Sequence, residues 1–179
     1  SDMMQGTVAD IRRRILWPET FDRLVAENGL DVADVEGKPL RFQACCLHGD
    51  LHGGNVLVDA RAQPVMIDYG EVGAGCSALD PIMLDLSCVF HPDAVRLGIS
   101  AKIQPVLQLW PNPDAYLADH PFPQFSRACR EWAYDVCGQD LAVLGAAYAY
   151  VLRQLRYDAT PREVALGALT DRKSTRLNS

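Results

Sequence analysis

Apolar residues recur at helical spacing in the first third of the chain. Val8, Ile11 and Ile15 are followed by Phe21, Leu24 and Val25, which predicts two helices before Gly29. Pro18 suits a first helical turn and Gly29 a stop. The stretch DVADVEGKP then reads as a turn-rich connector. Beyond it the period shortens. LRFQACCL (40–47), NVLVD (55–59) and PVMIDY (64–69) are short, apolar and bounded by Gly, Asp or Pro, so they predict three strands, the last two joined by a hairpin-length loop.

From Leu79 the helical pattern returns. Leu79, Ile82, Met83, Leu86, Val89 and Phe90 form one stripe, Phe125, Cys129, Trp132 and Val136 a second, and Leu144, Tyr148, Val151 and Leu155 a third. The Pro-rich piece LWPNPDAYLADHPFPQF reads as a loop between helices, and VALGALT as the start of a last helix. No internal repeat is visible. The layout predicts an α+β fold, mostly helical, with a small β element packed on helices.

The chain has 179 residues, 49% of them hydrophobic, enough for one domain with a substantial core. Its net charge of -6 argues against broad nucleic-acid binding, which needs a basic surface. No run approaches the length of a membrane span and the start SDMMQGTVADIRRR carries no hydrophobic signal, so a soluble cytoplasmic protein is expected. The six cysteines contain no CxxC pair and read as reduced core thiols, with the vicinal Cys45 and Cys46 as a zinc or redox pair the alternative. The last stretch, DRKSTRLNS, lacks apolar periodicity and reads as a non-native tail, and the chain as a piece of a longer gene product.

The chemistry concentrates in HGDLHGGN, residues 48–55, between apolar segments. Its glycines allow close backbone approach. The hairpin that follows returns a second acid, Asp68, near Asn55 and Asp50. Two oxygen ligands, one charged, suit a hard ion such as magnesium, and a further carboxylate can orient or deprotonate a hydroxyl. The bland alternative is a cluster of polar turn residues capping strands. Alternation of His48, Asp50 and His52 also allows a transition-metal site, against which the hard-ligand neighbours argue.

Together, HGDLHGGNVLVD and MIDYG resemble the catalytic and metal-binding segments of aminoglycoside phosphotransferase-type enzymes, within the protein-kinase-like superfamily. The resemblance covers about residues 40 to 158 and implies the C-terminal lobe of that fold, with 1–35 as a helical lead-in and 36–170 as the lobe. It implies Asp50 as catalytic base, Asn55 and Asp68 as magnesium ligands, and His48 as loop support. LDPIMLDLS resembles the family's Asp-Pro segment, which implies that Asp85 bonds the loop backbone; the alternative is a solvent-facing acid. ATP and Mg2+ are the implied cofactors and a small-molecule hydroxyl the implied acceptor.

His52 in place of a lysine, and only about ten residues between Gly70 and the Asp80 helix, favour small-molecule over protein kinases. A similarity to kinase-like domains of bacterial ternary conflict systems implies protein partners from such an operon, and a scaffold as the alternative function. No Val-Ala-x-Lys, Gly-rich phosphate loop or adenine hinge is found in the 179 residues, so an N-terminal lobe is expected as a partner and the chain alone should bind ATP poorly. His91 and His120, each beside a proline, read as loop residues, Arg153 and Arg156 as surface ion-pair formers, and Arg12–Arg14 as a solvated helix face.

Overall fold

The computed structural model describes residues 3–175. Its first element, β1 (Met3–Thr7), is a strand where a helix was expected. It pairs antiparallel with β2 (Pro39–Leu47), Met3 opposite Gln43 and Thr7 opposite Pro39. Chain direction then switches within one residue. Thr7 ends the strand and caps α1 (Val8–Arg13), its N–H and hydroxyl both donating to the Asp10 carboxylate at 2.8 and 3.0 Å. Next come α2 (Pro18–Glu27), opened by the proline, and a single turn, α3 (Ala33–Glu36), inside the stretch expected to be a connector.

After β2 and the polar octapeptide come β3 (Val56–Val58) and β4 (Pro64–Met66), a hairpin with Val56 opposite Met66. A further strand, β5 (Gly73–Cys76), joins the other edge of β2 and completes a three-stranded antiparallel sheet, β1-β2-β5. Its sequence, GAGC, has neither β-branched residues nor alternation, so nothing in the local pattern announces it. The hairpin differs from expectation in burial. Leu57, Val58, Val65 and Met66 are all exposed, Val58 by 68%, although they read as buried strands.

Helices make up the rest: α4 (Leu79–Phe90), α5 (Pro92–Arg96), α6 (Ile99–Ile103), α7 (Pro113–Ala118), α8 (Pro123–Cys137), α9 (Asp140–Gln154) and α10 (Arg162–Thr175). The tail assigned to 171–179 starts within α10, and its last four residues lie outside the described ones. The stripe expected on α4 is buried throughout. α9 is buried on nearly every side, as befits a helix at the centre of a core. Small residues let its neighbours come close. A Cβ at Gly145 would lie 3.3 Å from the Ile11 side chain, so glycine here admits α1 at a cost of about 1 kcal/mol in helix propensity. Val8, Ile11, Leu16 and Leu24 from the first 35 residues share one hydrophobic cluster with α4, α8 and α9.

Two expectations about helix faces are corrected. On α8, Phe125 and Trp132 are exposed, and the buried face is Ser126, Cys129, Arg130, Ala133 and Cys137. The reason is a buried polar node. Asp85 of α4 accepts from the Ser126 hydroxyl at 2.6 Å and the Trp110 indole N–H at 2.9 Å, and Arg130 stacks on the Trp110 ring at 4.4 Å. The Pro-rich piece is drawn into the same node. It holds α7, and Trp110 and Tyr116 are among the most deeply buried side chains. His120 lies in a loop, as expected, and is buried there with its ring 4.8 Å from that of Tyr116.

The arginine run is likewise not a solvated face. Arg12 is 3% exposed, lies over the Phe21 ring at 3.7 Å and pairs with Glu36 at 2.5 Å. Arg14 turns inward to β5, and Arg13 alone of the three is exposed. Cys45 and Cys46 leave opposite faces of β2, Cys45 packing on the core and Cys46 reaching the surface, because adjacent strand residues point apart.

Truncating Arg12 leaves Glu36, only 13% exposed in its side chain, as an uncompensated charge. Arg12→Ala should therefore cost about 3–5 kcal/mol in urea unfolding. A loss below about 1 kcal/mol, the range of solvated pairs, would contradict a buried pair.

Candidate active site

The octapeptide begins where β2 leaves the sheet, and its first two residues are fastened to α4. Asp80, in the first turn of that helix, accepts the backbone N–H of His48 at 2.7 Å and of Gly49 at 3.0 Å. Gly49 has φ +83, and a Cβ there would collide with the Glu71 carbonyl, so the position requires glycine. The same carbonyl accepts from Arg14 Nη2 at 2.6 Å, and Arg14 Nε donates to the Ala74 carbonyl at 2.9 Å. The arginine that follows α1 thus holds the segment after Asp68.

The two motif segments meet at the peptide groups of Ile67. The buried His48 ring donates from Nε2 to the Ile67 carbonyl at 2.8 Å, which fixes its tautomer because a carbonyl only accepts. From the other side, the Ile67 N–H donates to the Asn55 carbonyl at 3.0 Å. Asp68 is the next residue, held in the left-handed region at φ 63, ψ 67, a sparsely populated conformation for a side chain other than glycine.

Asn55 is buried. Its Nδ2 donates to the Asp50 carbonyl at 2.9 Å, which turns the amide and leaves Oδ1 without a hydrogen bond among the described residues. The Asp68 carboxylate is exposed and, among the described residues, makes no ion pair. These two unspent oxygens are the donor chemistry that magnesium takes. Among the described residues no three His, Cys, Asp or Glu side chains gather into a metal-holding group. His48 spends Nε2 on Ile67, and His52 Nδ1 accepts the Gly54 N–H at 3.1 Å.

Asp50 is partly exposed, with Oδ1 2.8 Å from Arg153 Nη2 of α9 and Oδ2 3.8 Å from His52 Nε2. Arg153 was expected in a surface ion pair; it is instead 9% exposed and paired with Asp50. Burial acts to lower its pKa, but Tyr157 and Asp50 outweigh that and leave it raised. His91 lies, as expected, outside the helices, in the bend between α4 and α5. It caps α5 through the Asp93 N–H and stacks on His52, ring centroids 4.1 Å apart. These side chains, with Tyr150 and Tyr157, line a cavity of about 130 Å³ beside Asp50.

Asp85 is the clear correction among the site residues. It does not touch the loop backbone; Asp80 does, five positions earlier on the same helix. Asp85 is 2% exposed and holds the Trp110–Ser126 node, with its pKa raised by desolvation against the pull of those two hydrogen bonds. The reason is positional. Only the first turn of α4 reaches the end of β2, and Asp85 points into the helical core. Asp80 was visible in sequence as the Asp before Pro81, and Arg14 and Arg153 carried no local signal.

A family model for the phosphotransferase enzyme family, APH, matches residues 5–101, more than half the chain. The chain belongs to that family. The match runs from within β1 to within α6 and takes in both motif segments, so it reaches further towards the N-terminus than the resemblance read from the motifs, and ends before α8 and α9. No curated protein and no solved structure matches the chain. Among the described residues no helix is long and apolar enough to cross a membrane. Membership of this family points to kinase-type phosphotransfer.

Two outcomes test this geometry. Asp80→Ala leaves two buried N–H groups without an acceptor, at about 1–3 kcal/mol each, and should lower stability by about 2–6 kcal/mol in chemical denaturation; an unchanged midpoint would mean that the loop is held elsewhere. Burial, then His91, holds the His52 pKa below its ordinary 6.5, with Asp50 pulling the other way. A depressed histidine contributes stability above the unfolded pKa that is lost as pH falls through the folded one. Melting temperature should then drop between pH 6.5 and the lower folded value, and less steeply in His52→Gln; parallel profiles would remove His52 from the effect.

Proposed function

We propose that this chain carries the acceptor side of an ATP- and magnesium-dependent phosphotransferase acting on a hydroxyl of a small molecule. The observation that carries the reading is the shared tether at Ile67. His48 and Asn55, on either side of Asp50, both bond the residue that precedes Asp68, so the candidate base and the candidate metal ligands belong to one rigid unit.

Asp50 is the base. An acceptor hydroxyl in the cavity beside it donates a hydrogen bond to the carboxylate, which orients the oxygen for attack and takes the proton as the new oxygen–phosphorus bond forms and the bond from the γ-phosphorus to ADP breaks. Arg153 keeps the carboxylate aimed and leaves Oδ2 for the hydroxyl. Asn55 and Asp68 would hold magnesium, which supplies charge neutralisation at the phosphate oxygens. Exclusion of water and the contacts to the nucleotide fall to a second, β-rich lobe. Support for that partner comes from the apolar side chains of β3 and β4, which lie exposed, as do Tyr69 at 57% and Val72 at 48%.

Asp50→Asn should lower turnover about 10²- to 10⁴-fold in the protein that carries both lobes, measured as magnesium-dependent phosphate transfer from ATP. Equal turnover in variant and parent would remove Asp50 from the role of base. Asp68→Asn should raise the magnesium concentration for half-maximal rate, and an unchanged requirement would place the ion elsewhere.

A further inference from the structure

A second cavity, of about 320 Å³, shares Arg153 with the cavity beside Asp50, and its walls run against the charge of the chain. Arg13, Arg14, Arg153 and Arg156 line it, with Glu71 as the one acid and Trp17 along one side. Arg13 is paired with Asp10 at 2.9 Å and Arg153 with Asp50 at 2.8 Å. Among the described residues, Arg14 and Arg156 have no carboxylate partner. Arg14 bonds only backbone carbonyls, and Arg156 rests beside the Tyr157 ring at 5.0 Å.

A second observation points to a ligand. Arg153 is 9% exposed, yet its Nε–H is buried without a hydrogen-bond partner. An orphaned buried donor on a cation is costly unless something accepts from it. The Trp17 indole, 76% exposed on the same wall, supplies a flat apolar face. The volume lies at the small end of ligand sites, well above what a bare anion fills.

We propose that this cavity binds an oxyanion group, phosphate or carboxylate, of a small molecule, with Arg14 and Arg156 as the cations that no carboxylate neutralises among the described residues. Arg153 connects the site to Asp50, so occupancy and the reaction loop share one guanidinium. The site does not depend on phosphotransfer: binding alone tests it.

Inorganic phosphate and glycerol 3-phosphate titrated calorimetrically into the protein at low salt should each saturate one site. Tighter glycerol 3-phosphate assigns the cavity to a phosphorylated organic ligand, and equal or weaker binding to the free anion; both keep the oxyanion site. Arg156→Gln should weaken phosphate about tenfold. Arg96→Gln removes the same charge from an exposed pair with Asp93 and should leave affinity unchanged. The proposal is overturned by any of four results: no saturable binding, equal affinity in Arg156→Gln and parent, equal weakening by Arg96→Gln, or displacement of phosphate by magnesium-ADP. The last would make the arginines part of the nucleotide's own site.

Discussion

One carboxylate ties the reactive loop to the core. Asp80 sits in the first turn of α4, where the helix dipole favours negative charge, and receives two consecutive backbone N–H groups as the chain leaves β2. α4 is immovable because its apolar stripe fills the centre of the molecule. A rigid helix thus passes its position to His48 and Gly49, and through them to Asp50. The Ile67 peptide groups relay the same order to Asp68. Loops that hold chemistry gain their accuracy from such second contacts rather than from their own conformation.

The electrostatics around the loop are set by elements remote in sequence. Overall charge is -6, yet the loop is bordered by Arg14, just after α1, and Arg153 from α9. Global charge governs solubility and long-range attraction; the local field follows the few groups held close and partly desolvated. Pairing with Asp50 also explains why an arginine is tolerated at 9% exposure inside α9. The His52–His91 stack adds an aromatic wall, and burial disfavours the protonated form of His52.

The Asp85 node is a polar centre inside an otherwise apolar helical layer. A buried ionisable group is expensive and persists when its hydrogen bonds are met. Ser126 and the Trp110 indole meet them, and Arg130 lies close by across two aromatic rings. This node brings α4, α8 and the Pro-rich segment to one point. It also shows why a helix face read by hydrophobicity alone fails on α8: its inward residues are Ser126 and Arg130, and its outward ones include Trp132.

The sequence by itself determined what local chemistry encodes. Helical periodicity located α1, α2, α4 and α9, and the spacing of His48, Asp50, Asn55 and Asp68 marked the loop and hairpin, because motif order and apolar period are properties of neighbouring residues. Tertiary structure alone decided the partners of those residues. Long-range pairing made strands of MMQGT and GAGC, gave Asp80 rather than Asp85 the loop backbone, turned Arg12 and Arg14 inward, and set Arg153 against Asp50 across 103 positions. Such contacts leave no local signal, since their energy comes from burial and charge pairing that exist only once distant segments have packed.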